Sequence, residues 1–150
     1  MKFGIFALVA LAMGPKPVNW VASVAPARVA AGGTVSVRLT ATIDTGWHLY
    51  STTQPPGGPV PTRIAVASPG FVLDGVLQFP KPSVHPDPNF GINVETYEST
   101  VTFTVPVRVD RATRPGADTV VVTARYQACN ATLCLPPQTA KVPVVLQVGT

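Results

Sequence analysis

Proline interrupts this chain along its whole length: 17 of the 150 residues are proline and 12 more are glycine, scattered rather than massed. Each proline removes a backbone donor and breaks a helix interior, so long helices are excluded while short strands between turns are not. The apolar residues agree with that reading. Val35, Val37, Leu39, Ala41 and Ile43 alternate with Ser36, Arg38, Thr40 and Thr42. Val101, Phe103, Val105, Val107 and Val109 alternate with Thr102, Thr104, Pro106 and Arg108, and Val120, Val122, Ala124 and Tyr126 with Val121, Thr123 and Arg125. A period of two turns one face of each segment to a core and the other to solvent, which is the pattern of a half-buried strand.

Weaker strand patterns cover Asn19 to Val24, Trp47 to Ser51, Arg63 to Ala67, Phe71 to Phe79 and Lys141 to Val148. Turn-forming stretches separate them: Ala31-Gly32-Gly33, Asp44-Thr45-Gly46, Gln54 to Pro61, Pro80 to Gly91 and Arg111 to Asp118. Short strands at this spacing predict an all-β, two-sheet antiparallel sandwich. The length suits one domain over 15–150, and 46% hydrophobic with only 12% charged residues is too apolar for a disordered chain.

The net charge of +4 comes mostly from single arginines, with no basic stripe to track a phosphate backbone, so nucleic acid is not an expected partner. At the N-terminus Lys2 precedes an apolar run from Phe3 to Met13, and Ala10-Leu11-Ala12 offers a small-x-small cleavage pattern. Residues 1–14 therefore read as a signal-peptide-like segment and the protein as exported. The run is shorter than the roughly 20 residues a membrane span needs.

Only Cys129 and Cys134 are present, separated by Asn130-Ala131-Thr132-Leu133. An immunoglobulin-type bridge joins strands far apart in sequence, so this pair is not that bridge. The strand ending at Gln127 runs into Cys129, and Cys134 opens the return toward Lys141, which places the cysteines at the mouth of a hairpin within disulfide reach. Closing so short a loop stabilises by only about 2 kcal/mol in the chain-entropy account. Three readings stay open on spacing alone: a structural bridge, a redox-active pair, and metal ligation together with His48 or His85, neither of which has diagnostic spacing to the pair. No Ser-His-Asp order, phosphate loop or paired carboxylates are recognisable.

Beyond spacing, Tyr126-Gln127-Ala128-Cys129 followed by Cys134-Leu135-Pro136-Pro137 resembles the active hairpin of the periplasmic N-terminal domains of thiol:disulfide interchange proteins of the DsbD family. Gly46-Trp47-His48-Leu49-Tyr50-Ser51, then Gln54-Pro55-Pro56-Gly57-Gly58-Pro59 and Thr62-Arg63-Ile64, looks like a second block of the same family. Asp87-Pro88-Asn89-Phe90-Gly91, leading into Glu95, Tyr97 and Glu98, resembles its cap loop.

The resemblance implies an immunoglobulin-like sandwich in a bacterial periplasm whose cysteines cycle between dithiol and disulfide without a cofactor or metal. Electrons would arrive from a thioredoxin-like donor and leave to a disulfide isomerase or a cytochrome-maturation thioredoxin. Cys134 would form the mixed disulfide, Cys129 would resolve it, and Phe90, with Asp87 and Gly91 in the same cap, would shield the pair. The family's whole proteins continue into a membrane domain and a second redox domain, so membrane contact is expected only through a partner or a further C-terminal region. The cysteine loop is one residue shorter than in the best-known member.

Tyr126, Tyr50 and Trp47 are candidates for an apolar collar around the sulfurs, although Tyr126 continues the inward face of its strand and core packing is favoured for it. His48 is expected on a strand face, hydrogen-bonded rather than acting as a base. With Arg125 the only nearby cation, the cysteines are expected not to be strongly acidic, and specificity would come from docking. The rival reading is an exported protein-binding module around an inert disulfide.

Overall fold

The computed structural model describes residues 14–149, so the signal-like run of residues 1–13 lies outside the described residues. Those described form strands and turns without a helix. In chain order the strands are β1 (Val18–Ala25), β2 (Arg28–Ala30), β3 (Thr34–Ile43), β4 (Leu49–Tyr50), β5 (Arg63–Val66), β6 (Phe71–Leu73), β7 (Ser83–Asp87), β8 (Ile92–Tyr97), β9 (Thr100–Val109), β10 (Gly116–Tyr126) and β11 (Gln138–Gly149). They make two four-stranded sheets, β1-β3-β9-β6 and β2-β11-β10-β5, and a three-stranded side sheet, β4-β8-β7. Every pairing is antiparallel except the short parallel contact of β2 with β11.

The alternation explains the sandwich. β3 meets β9 with Val35 opposite Val107, Val37 opposite Val105, Leu39 opposite Phe103 and Ala41 opposite Val101. All eight are buried, as are Val120, Val122, Ala124 and Tyr126 of β10 and Val142, Leu146 and Val148 of β11. The inward faces of both sheets merge into a single apolar cluster. Each fully buried Val, Leu or Phe stabilises by about 1.5–3 kcal/mol. A one-residue slip in register would turn these faces to solvent, so the pattern also fixes the pairing.

Three expectations change in detail. The segment from Phe71 to Phe79 keeps only Phe71–Leu73 as strand, because the pairing with β9 is interrupted around Gly75, whose φ of +127° lies in the region that favours glycine, and resumes only as a single bridge of Gln78 with Thr104. Trp47 to Ser51 contracts to the two residues of β4. Pro80 to Gly91, read as a turn-forming stretch, instead contains β7, paired with β8 from Ser83 opposite Thr96 to Asp87 opposite Ile92. Pro86 is accommodated there because β7 is an edge strand, where a missing backbone donor leaves no ladder bond unmade.

Candidate functional site

The side sheet and the cysteine hairpin meet around a second apolar cluster, distinct from the sandwich core, made by Tyr50, Val94 and Cys129 with Ile92 packed against it. The chain reaches this place through a turn after β3, in which Trp47 N–H donates to the Asp44 carbonyl at 3.0 Å and Gly46 takes a φ of +86°. That turn delivers His48 to the hairpin. His48 N–H donates to the Cys129 carbonyl at 2.9 Å, and Cys129 N–H donates back at 3.2 Å.

Cys129 and Cys134 are joined in a disulfide, with their Cα atoms 4.0 Å apart. Leu135 N–H donates to the Ala128 carbonyl and Asn130 N–H to the Leu133 carbonyl. The cysteines are thus a non-hydrogen-bonded antiparallel pair, the type in which facing side chains come closest. Asn130 shapes the tip between them: its Oδ1 accepts from the backbone of Thr132 at 2.9 Å and of Leu133 at 2.8 Å. The two sulfur-bearing residues differ sharply in access, since Cys129 is 1% exposed while Cys134 is exposed.

A cleft of about 200 Å³ opens over the pair, lined by His48, Tyr50, Asp87, Phe90, Leu133 and both cysteines among others. Phe90 enters from the loop between β7 and β8. Asp87 organises that loop, its carboxylate accepting from Asn89 N–H at 2.8 Å and its carbonyl from Gly91 N–H at 2.8 Å. Gly91, with a φ of +68°, makes the turn but does not line the cleft. Gly58 leaves room for Ile92 beside this loop: a Cβ there would lie 2.6 Å from Ile92 Cδ1.

Polar bonds fix the frame. Gln54 Oε1 accepts from Glu95 N–H at 2.7 Å, Thr62 Oγ1 donates to the Tyr50 carbonyl at 2.6 Å, and Gln127 accepts from Val60 N–H at 2.9 Å while donating to the Leu135 carbonyl. The Gln54 to Pro61 loop is thereby tied both to β8 and to the cysteine hairpin.

Electrostatics at the cleft are set by burial. Tyr50 is pushed up to about 12, first by desolvation and then by the Asp87 charge, so its hydroxyl keeps its proton. His48 Nε2 and Tyr50 Oη share a hydrogen bond of 2.9 Å.

Of the residues singled out in the sequence, Cys129, Cys134, Phe90, Asp87 and Tyr50 come together at the cleft. Tyr126 does not. It is buried in the sandwich core against Trp20, with ring centroids 5.3 Å apart, and donates to Gln138 Oε1. Trp47 likewise packs on the sandwich core rather than on the sulfurs. His48, Asn130 and Leu133 line the cleft without having been singled out for it. Parity could have found the first, since His48 and Tyr50 are two residues apart on one strand face. Among the described residues no three His, Cys, Asp or Glu side chains gather to hold a metal ion.

Residues 20–146 match the family described as thiol:disulfide interchange protein DsbD, N-terminal. The chain belongs to the DsbD N-terminal domain family. Among solved structures it is similar to the DsbD N-terminal domain of Neisseria meningitidis in the reduced form, with 19% identity, a TM-score of 0.51, and coverage of 88% of this chain and 90% of that one. It is also similar to the N-terminal periplasmic domain of ScsB from Proteus mirabilis, at 18% identity and a TM-score of 0.51, covering 87% of this chain but 44% of that one. The major pilin subunit BcpA of Bacillus cereus gives the same TM-score of 0.51 at 10% identity, over 89% of this chain and 41% of the pilin. Likenesses at such identities establish a shared immunoglobulin-like fold, and the family assignment rests on the sequence match. Comparison with curated proteins gave no match.

Proposed function

We propose that this DsbD-family domain is a periplasmic protein thiol-disulfide reductase module, taking electrons from a thioredoxin-like donor and passing them to oxidised partners through Cys129 and Cys134. The observation that carries this reading is the unequal exposure of the two bonded cysteines at a hairpin tip, beneath an aromatic loop residue. A donor thiolate attacks the exposed Cys134 Sγ, the bond to Cys129 breaks, and Cys129 leaves as a thiolate that takes up a proton. A second donor thiol then attacks the mixed disulfide, so the donor departs as a disulfide and the domain holds two thiols. In the outward half, Cys134 attacks an acceptor disulfide and Cys129 resolves the intermediate, returning the starting bond with two electrons transferred.

Phe90 covers the pair between encounters, and docking displaces it. A disulfide isomerase or a cytochrome-maturation thioredoxin is the acceptor class for a carrier of this kind.

Trapping tests the assignment. A Cys129→Ala variant, mixed with an oxidised thioredoxin-like protein, accumulates a mixed disulfide through Cys134, whereas Cys134→Ala, whose remaining thiol is buried, captures little. If wild-type domain keeps its bond against excess reduced thioredoxin-like protein over hours, the interchange reading is overturned. A reduction potential below about −300 mV would overturn it equally, because so stable a bond resists exchange.

A further inference from the structure

Interchange as described leaves His48 without a task, although it lines the same cleft as both cysteines. His48 pairs with Cys129 across one ladder and Cys129 pairs with Cys134 across the next. Residues paired laterally in a ladder project their side chains to the same face, with Cβ atoms about 4.5–5.5 Å apart. The imidazole therefore flanks Cys129 on the side away from Cys134, and all three residues line one cleft. Cys129 is 1% exposed, so bulk water has poor access to its proton when the pair is reduced.

We infer that His48 takes the proton from the Cys129 thiol as that sulfur resolves a mixed disulfide, and returns it when Cys129 is the leaving group, an assignment that rests on the interchange reading above. In resolution the S–H pair of Cys129 becomes the new bond to Cys134 Sγ, and the bond from Cys134 to the partner sulfur breaks. The proton passes to the imidazole, and the partner leaves as a thiolate that recovers a proton from the imidazolium or from solvent. In the tautomer whose Nε2–H donates to Tyr50 Oη, the lone pair of Nδ1 is available for this transfer.

The surroundings suit an acceptor. Burial, the largest influence, lowers the imidazole below its ordinary 6.5; Glu98 opposes this, His85 on β7 reinforces it, and Asp87 on β7 opposes it. Tyr50 on β4 stays protonated and contributes no charge. The ring is thus neutral near pH 7, as a base must be.

The test is stopped-flow reaction of the reduced full chain with dithionitrobenzoate, whose coloured thiolate is released once when Cys134 is captured and again when Cys129 resolves the adduct. In His48→Asn the first release is unchanged and the second slows by about 100-fold, the low end for general acid-base catalysis. Its pH profile loses the imidazole step, and added free imidazole restores much of the rate. The main-chain bonds between His48 and Cys129 survive the change, and urea unfolding of the oxidised variant verifies the fold. A second release equally fast in wild type and variant, with the same pH profile, overturns the role of His48 while leaving interchange intact. Slowing without imidazole rescue and without a changed pH profile also overturns it, since that is the mark of a purely structural residue. If wild type gives no second release, the pair does not reclose by exchange and the interchange reading itself fails.

Discussion

Reducing the bond between Cys129 and Cys134 should leave the domain folded. The cysteines are 5 positions apart, and the chain-entropy relation for a loop of that size gives about 2 kcal/mol of stabilisation. That is close to the contribution of one buried leucine, against a sandwich core containing Leu39, Phe103, Leu146 and many valines and other apolar side chains. Cys129 loses its partner sulfur but remains a small apolar group in an apolar cluster, so no buried charge is created. Urea unfolding of oxidised and dithiothreitol-reduced protein, followed by Trp20 and Trp47 fluorescence, should show parallel transitions separated by about 2 kcal/mol, with Tm lower by roughly 5–10 °C. A carrier requires this, because it must survive each cycle in both states. A loss beyond about 5 kcal/mol, or a reduced chain unfolded at room temperature, would mean that the bond is a brace and would refute the reasoning.

Phe90→Ala should speed reduction of the bond by a small thiol severalfold, measured by loss of disulfide against time, while leaving the urea midpoint nearly unchanged; an unaltered rate would remove Phe90 from its shielding role. Gln54→Ala strips the Glu95 N–H of its 2.7 Å partner in a region where Gln54 is 5% exposed, and should cost about 1–3 kcal/mol in chemical denaturation. His48→Gln should flatten stability against pH in the oxidised protein. Because burial depresses the folded imidazole pKa, the wild-type contribution is complete above about 6.5 and is lost as pH falls from there through the folded value. Urea midpoints between about pH 5 and 8 would show the slope in wild type and its absence in the variant.

The sandwich was legible because β3, β9 and β10 are long and strictly alternating, so side-chain parity determined which residues face inward. The side sheet was obscured because Pro86, with Pro80, Pro82 and Pro88 around it, reads as a turn former, and the position of β7 at a sheet edge makes Pro86 compatible with a strand. The cysteines, Phe90 and Asp87 were found through the resemblance of their motifs. Tyr126 illustrates the limit of proximity in sequence: three residues from Cys129, it follows its strand's parity into the core against Trp20. Parity puts His48 on the same strand face as Tyr50, but its place beside Cys129 comes from a long-range pairing between the β3–β4 turn and the hairpin.

Because the cluster beneath the sulfurs is separate from the one between the main sheets, the side chains that hold the sandwich together and those that surround the disulfide are different sets. Substitutions at Leu39 or Val107 should therefore change how firmly the sandwich resists unfolding, whereas substitutions at Tyr50, Val94 or Ile92 should change how readily the bond between Cys129 and Cys134 is reduced.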